Sequence, residues 1–379
     1  MIYFDSAATT LQKPPSVGRA LRRAVGSMAS PGRGGHGASM GAADTVYRCR
    51  EAAAELFSVT EPERVVFTHN ATHGLNMAIK SMVNPGDRVL ISGYEHNSVV
   101  RPLRAMGAEV MIAPSAPFAQ EETVSAFAEK MGAEVKLIVC NHVSNVFGFV
   151  LPIEGIAALC RERGVPLIVD ASQSAGVLEI DAPALGAAFI AMPGHKGLYG
   201  PQGTGILICG ETPSKTLIEG GTGSDSLSWE APINLPERLE AGTHNVPGIA
   251  GLLEGIRFVR GRGVRRILKH ERTLLEQLVK GLSKMPKIRL FSASDPVNQT
   301  GVLSFILEDL DCEEMAAQLG AMDVGVRAGL HCSPLAHESA GTLETGTLRV
   351  SFSAYNTGGE VEQFLWRLSQ ARRKMAKNT

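Results

Sequence analysis

Apolar and polar positions divide the chain into short strand-like runs and longer stretches with helical spacing. Residues 44–57 (DTVYRCREAAAELF) read as an amphipathic helix. Residues 63–82 run strand, turn, helix. RVLISG at 88–93 is a strand that opens into the polar loop YEHNS, and EVMIAP at 109–114 is a further strand. A helix opened by acidic residues covers 121–131, and a strand with a polar end covers 136–144. A helix closed by Gly164 covers 153–164. The apolar run at 166–176 meets a polar turn, and 189–209 reads strand, polar loop, strand. This short alternation predicts a parallel, doubly wound sheet covered by helices. Ligands of such sheets sit beyond the carboxyl ends of the strands. Thr72, His96, Asn145, Asp170, Gln173, His195 and Lys196 all fall there, so the pattern brings them to one crevice.

From about residue 250 the pattern changes. A long basic helical stretch is followed by strands at 301–307 and 347–354 and helices at 312–319 and 360–374. The expected organisation is a large α/β domain over 15–248 and a smaller α+β domain over 249–379, with segment 1–14 packed against the smaller one. Arg257, Arg260, Arg262, Arg265, Arg266, Lys269 and Arg272 read first as a solvated helix face, and second as a docking surface for an acidic partner. There is no repeat and no low-complexity segment.

Composition fits this picture. Of 379 residues, 44% are hydrophobic, 20% charged and 5% aromatic, and 41 are glycine, as suits an enzyme with many tight strand-to-helix turns. A net charge of -1 gives no global field toward nucleic acid or an anionic membrane. The start shows no basic region followed by an apolar run, and no apolar stretch is of membrane-spanning length, so a soluble cytoplasmic protein is expected. The six cysteines (Cys49, Cys140, Cys160, Cys209, Cys312 and Cys332) include no C-x-x-C pair and make no disulfide framework.

Candidate chemistry begins with Asp170, which ends the apolar run LIVD, where a carboxylate is costly without a positive partner. Lys196 follows 26 residues later in Pro-Gly-His-Lys-Gly, at the same end of the sheet. Such a pair is either a structural ion pair or the lysine and aspartate that a pyridoxal phosphate (PLP) enzyme needs: the lysine as Schiff-base amine, the aspartate holding the ring nitrogen protonated. Gln173 could reach the cofactor's phenolic oxygen, and His96 could stack on its ring; a loop histidine can equally be only solvated. Ala71 and Thr72 begin a helix after a strand, a natural phosphate site, although Thr72 as a plain N-cap explains the same pattern.

Together these residues resemble the class V aminotransferase family of fold-type I PLP enzymes. The segments that carry the resemblance are Asp-Ser-Ala-Ala-Thr-Thr at 5–10, Asn-Ala-Thr-His-Gly-Leu-Asn at 70–76, Glu-His-Asn-Ser at 95–98, His-Val-Ser-Asn at 142–145, Val-Asp-Ala-Ser-Gln at 169–173 and Gly-His-Lys at 194–196. Arg-Ala-Gly-Leu-His-Cys at 327–332 is similar to the segment of the SufS-like cysteine desulfurases and selenocysteine lyases. The resemblance implies a mostly parallel sheet of the seven-stranded type and a set of roles. Lys196 would form the Schiff base, Asp170 and Gln173 would hold the ring, and His96 would stack on it. Thr72, Ala71 and His195 would bind phosphate. Asn145, Arg349 and Arg327 would serve the substrate, with Arg349 gripping its carboxylate, and Cys332 would accept sulfur as the nucleophile. It also implies a homodimer with sites at the subunit interface, L-cysteine or L-selenocysteine as substrate and a sulfur-acceptor protein as partner. Thr222, in Gly220–Gly223, would reach the other subunit's phosphate, and Glu-Ala-Gly-Thr at 240–243 matches a segment near the site.

One position departs from the family. Where the SufS-like enzymes carry a serine two residues before the histidine of Gly-His-Lys, this chain has Pro193, with neither hydroxyl nor N–H. Cys332 has two further readings, an incidental loop thiol and a metal ligand with His331 and His337; no cysteine or histidine cluster completes a zinc set, and no metal is expected. Selenocysteine lyase, another class V aminotransferase or kynureninase-like enzyme, and a non-catalytic PLP-binding protein are the competing functions.

Overall fold

The computed structural model describes residues 1–32 and 34–375, so the expected second domain's residues 376–379 lie outside the described residues. The chain begins with β1 (Ile2–Tyr3), α1 (Pro15–Ser27) and α2 (Gly37–Leu56). Then strands and helices alternate: β2 (Val65–Thr68), α3 (Ala71–Met82), β3 (Arg88–Ser92), α4 (Asn97–Ala105), β4 (Glu109–Ala113), α5 (Gln120–Lys130), β5 (Val135–Asn141), α6 (Ile153–Arg163) and β6 (Leu167–Asp170). The short α7 (Ala182–Leu185), β7 (Phe189–Pro193) and β8 (Gly205–Cys209) complete this part. β2 through β8 form one seven-stranded sheet in the order β2-β8-β7-β6-β5-β3-β4. Only β8 runs against its neighbours, β2 and β7; the other pairings are parallel. The sheet is the expected mostly parallel one of a fold-type I enzyme, buried under helices, which is why its central strands read LIVD and LIVCN without alternation.

A second group follows: α8 (Val246–Arg262), α9 (Val264–Leu282), β9 (Ile288–Phe291), β10 (Val302–Leu307), α10 (Cys312–Ala321), β11 (Val324–Gly325), β12 (Arg327–Gly329), α11 (Pro334–Ala340), β13 (Thr347–Ser351) and α12 (Gly358–Met375). An antiparallel sheet runs β12-β13-β10-β9, and β1 pairs with β11 in a two-stranded parallel sheet. Phe4 is fully buried there, its ring 4.9 Å from Phe352 and 5.6 Å from Phe364.

The long basic stretch is two helices broken at Gly263, whose φ of 86° suits glycine. Position 249 falls inside α8, and α8 buries Ile249, Leu252, Leu253 and Ile256 in the core shared with α2 and the large sheet. The change of core therefore comes after α8, because an amphipathic helix stays with the surface its apolar face covers. Much of its basic charge is answered locally: Arg257 pairs with Glu254, Arg260 with Glu55, and Arg265 with Glu179. Arg272 donates to the carbonyls of Val297 and Gln299. Among the described residues no helix is long and apolar enough to cross a membrane.

Candidate active site

The ends of β2, β3, β5, β6 and β7 build the site. β6 delivers Asp170, which is 4% exposed. β7 leads into the loop that carries His195 and Lys196, and this loop presses on the turn after β6. A Cβ on Gly176 would meet Gly197 O at 2.2 Å, and one on Gly197 would meet Ala175 O at 2.3 Å, so only glycine lets the two loops touch. Asp170 Oδ1 accepts from the N–H of Ser172 at 2.9 Å and from its hydroxyl, and Oδ2 has no hydrogen bond among the described residues. Burial lowers the Lys196 amine to about 8; Asp170 and Asp5 oppose that fall, and Arg349 and Arg327 add to it.

α3 begins against the same crevice. Its N-cap is Asn70, whose side chain accepts from His73 N at 2.9 Å, so Thr72 is not the cap; it is exposed and lines the crevice beside Ala71. His96 caps α4, its Nδ1 accepting from Ser98 N at 3.0 Å, which leaves the proton on Nε2. Burial lowers the pKa of His96, and Lys196, Arg101 and Arg349 push it the same way against Asp170. His195 is lowered to about 4, first by burial, and its Nδ1 is buried without a partner among the described residues. Gln173 donates Nε2 to Ala7 O at 2.9 Å. Ala71, Thr72, His96, Asn145, Asp170, Gln173, His195 and Lys196 thus line one crevice, with Pro193 in its wall.

These residues fit PLP. The α3 N-terminus offers backbone N–H groups to a phosphate. The buried Asp170 keeps an oxygen for a ring nitrogen, and the orphaned His195 nitrogen awaits a polar partner. Pro193 supplies none.

Asn145 joins Arg349 to the 331–333 loop. Its Nδ2 donates to His331 O at 2.8 Å, its Oδ1 accepts from Ser333 Oγ at 2.7 Å, and its carbonyl accepts from Arg349 Nη1 at 2.8 Å. Asn145 therefore links Arg349 to the residues on both sides of Cys332. Asn97, next to His96, donates its N–H to Cys332 O at 2.8 Å. The loop is held, although His331 (φ 50°) and Cys332 (φ 57°) both take the left-handed conformation, which costs non-glycine residues about 1 kcal/mol or more each. Gly329, just before the loop, is paired with Thr347 in β12. Cys332 is exposed, whereas the other five cysteines are buried. Burial pushes the Cys160 thiol up to about 12.

Arg327 Nε bonds Asp5 Oδ2 at 3.1 Å. Thr222 is not in the Lys196 crevice of its own chain but in the 210–245 loop, where its hydroxyl meets Ser224. Glu240 of the Glu-Ala-Gly-Thr segment is a buried anchor, paired with Arg50 at 2.7 Å and taking the Phe67 N–H at 2.6 Å. His331 and His337 stack 5.7 Å apart, but among the described residues no three metal-ligating side chains gather. Asp5, Ser98, Ser172 and Ser333 had no assigned role in the sequence. The signal for Asp5 was a carboxylate closing the apolar start IYFD; the serines carried none, because small hydroxyls are common in any loop.

The family profile described as Aminotransferase class-V matches residues 2–364. The chain belongs to the class-V aminotransferase family. Members of this family depend on PLP, in keeping with the crevice. Among class-V relatives, a probable cysteine desulfurase of Pyrococcus abyssi is 32% identical, over 96% of this chain and 92% of that one. Another, of Xylella fastidiosa, is 33% identical over 98% and 91%. A third, of Mycolicibacterium paratuberculosis, is 32% identical, and the chain spans only 54% of its length. Among solved structures, the apo cysteine desulfurase of Thermococcus onnurineus superposes with a TM-score of 0.89 at 29% identity, covering 100% of this chain and 95% of that one. The Escherichia coli cysteine desulfurase CsdA (S-sulfonic acid) gives 0.86 at 26% identity, covering 98% and 94%.

Proposed function

We propose that this chain is a PLP-dependent cysteine desulfurase that moves sulfur from L-cysteine to Cys332 and releases L-alanine. The observation that carries the reading is the place of Cys332: an exposed thiol on a pinned loop whose ties run to Asn97 and Asn145 at the crevice. The resemblance to named cysteine desulfurases over nearly the whole chain supports it.

When bound, the cofactor supplies a conjugated ring that stores the electron pair released at the substrate's α-carbon. Lys196 Nζ would bind the cofactor and, once free, take the α-proton, a task suited to an amine lowered to about 8. Asp170 would hold a proton on the ring nitrogen, Gln173 the phenolic oxygen and His96 the ring face. Ala71, Thr72 and His195 would face the phosphate. Arg349 would take the substrate carboxylate. The Cys332 thiolate would then attack the substrate sulfur. A new S–S bond forms, the Cβ–S bond breaks, and its electron pair stays with the carbon fragment, which is protonated and leaves as alanine. The persulfide on Cys332 would pass to an acceptor protein, in iron–sulfur cluster assembly in the cytoplasm.

The reading includes a homodimer. Its support is the segment beside Thr222, where Leu227, Trp229 and Ile233 stand exposed, apolar surface that a second copy would cover. Thr222 would then approach the other subunit's phosphate. It also includes two domains, dividing near Gly263, with segment 1–14 in the smaller one.

The test is purified protein given L-cysteine, with the visible band, alanine and sulfide followed together. Both products are expected from wild type. Cys332→Ala is expected to keep the band and lose roughly 100-fold or more in turnover of L-cysteine. Full turnover by Cys332→Ala with a reductant present would overturn the role of Cys332. Turnover of L-selenocysteine alone would make the chain a selenocysteine lyase.

A further inference from the structure

The carboxylate of Asp170 is held by one residue. Ser172, two positions on, donates its backbone N–H to Oδ1 at 2.9 Å and its hydroxyl to the same oxygen. Among the described residues no other group bonds this carboxylate, and Oδ2 has no hydrogen bond. The turn that carries Ser172 is fixed by its own backbone: Ala171 N donates to Ala191 O at 2.9 Å, and Ala175 N to Ala171 O at 3.0 Å. The turn therefore sets the N–H bond to Oδ1 whatever the side chain at 172. The hydroxyl bond is an addition that serine makes, a local side-chain contact of the kind small hydroxyl residues favour in turns.

Asp170 and Ser172 both line the crevice with Lys196. Asp170 is 4% exposed, so water has little part in answering its charge, and in such surroundings each hydrogen bond counts for more. Donors on one carboxylate draw on the same negative charge. With the Ser172 hydroxyl on Oδ1, less of that charge is left on Oδ2 for a further donor. The arrangement recurs at His96. Ser98, again two positions on, gives its N–H to Nδ1 at 3.0 Å, and its hydroxyl lies 2.8 Å from the same nitrogen. Ser98 thus provides a matched contact on a group that has a different place in the crevice.

We propose that Ser172 is a positioning residue that moderates Asp170: its hydroxyl shares the carboxylate's charge and weakens the grip of Asp170 on the protonated ring nitrogen of the cofactor. This rests on the reading in which Asp170 faces that nitrogen. A ring proton held less firmly makes the ring a milder electron sink, so Ser172 sets how readily the substrate's α-proton leaves. A serine that only braced Asp170 would act in the opposite direction, because its loss would loosen the carboxylate and weaken the contact.

The test lets PLP compete for the cofactor-free protein with its deaza analogue, in which a C–H group replaces the ring nitrogen. The ratio of the two affinities reads the contact at that nitrogen alone. In Ser172→Ala the ratio is expected to move toward PLP by about fivefold, a part of what one hydrogen bond to a charged group contributes. Ser172→Thr keeps the hydroxyl and should hold the ratio within about twofold of wild type. If Ser172→Ala does not fold, Ser172→Cys, with a weaker donor, should move the ratio the same way. Ser98→Ala removes the matching hydroxyl at His96 and should leave the ratio where it is. A ratio that stays fixed in the folded Ser172 variants, one that moves toward the analogue, or an equal shift in Ser98→Ala overturns the proposal. Asp170→Asn tests the reading beneath it and is expected to abolish the preference for PLP. If that preference is lost while the Ser172 variants match wild type, only this inference falls; if Asp170→Asn keeps it, the place of Asp170 at the ring nitrogen falls and takes the inference with it.

Discussion

At the scale of single residues, Lys196 shows how position sets chemistry. An ordinary lysine is protonated at neutral pH and is a poor nucleophile. Burial lowers Lys196 from 10.5 to about 8. The folded chain then binds fewer protons here than the unfolded chain between about 8 and 10.5, so this group's contribution to stability rises with pH across that window. The neutral amine fraction rises through the lower end of it. The rate at which protein freed of cofactor regains its visible band on adding PLP is therefore expected to climb with pH and level off above about 8. A flat profile from pH 6 to 9 (roughly three decades of proton concentration) would contradict the lowered value. Lys196, Asp170 and His96 were legible in the sequence because each follows an apolar strand, where a charged or polar group marks a sheet end. Asp5 was quoted within a motif but given no role: its partners Arg327 and Arg349 lie 322 and 344 residues away, and no local pattern carries that distance.

At the scale of elements, α3 shows how one end of the crevice is built. The sequence pointed to the right helix start and offered Thr72 as its cap, but the capping side chain is Asn70. The reason is geometric. A cap must sit in extended backbone before the first turn, and Asn70 does so with φ -174°. Asn70→Ala is expected to cost about 1 kcal/mol in thermal unfolding and to weaken PLP binding by about fivefold, as the first turn of α3 loses its anchor. A spectrophotometric PLP titration beside a melting curve checks both, and weaker melting with unchanged PLP affinity would separate the cap from the phosphate site. The helices α8 and α9 make a related point. Their basic residues read as one solvated face, whereas Gly263 breaks the stretch and the helices join different cores.

At the scale of the whole molecule, the two cores meet around groups that no local pattern marks. Glu271 of α9 is 5% exposed and packs against Gly301, where a Cβ would meet its own Cβ at 2.6 Å. It makes no hydrogen bond or ion pair among the described residues, and burial pushes its carboxyl up to about 8. A carboxyl raised in the folded state contributes stability that is fully present below 4.5 and lost as pH rises to about 8. Glu271→Gln has no such titration. Its melting temperature relative to wild type should therefore rise by about 2–4 °C between pH 5 and pH 8.5. A difference that stays constant over that range would show that Glu271 does not titrate there.

By itself the sequence determined the alternation of strand and helix, the large parallel sheet, the crevice at its strand ends and the identity of most groups that line it. Those features follow from periodicity, from the cost of placing charge after an apolar strand, and from the limited set of residues that PLP chemistry uses. Only the tertiary structure decided how segment 1–14 returns to the small sheet, how Asn145 joins Arg349 to the Cys332 loop, and how Asp5 comes to lie between two arginines. These contacts join segments far apart in the chain, and their strength depends on burial, which arises only when both cores have formed.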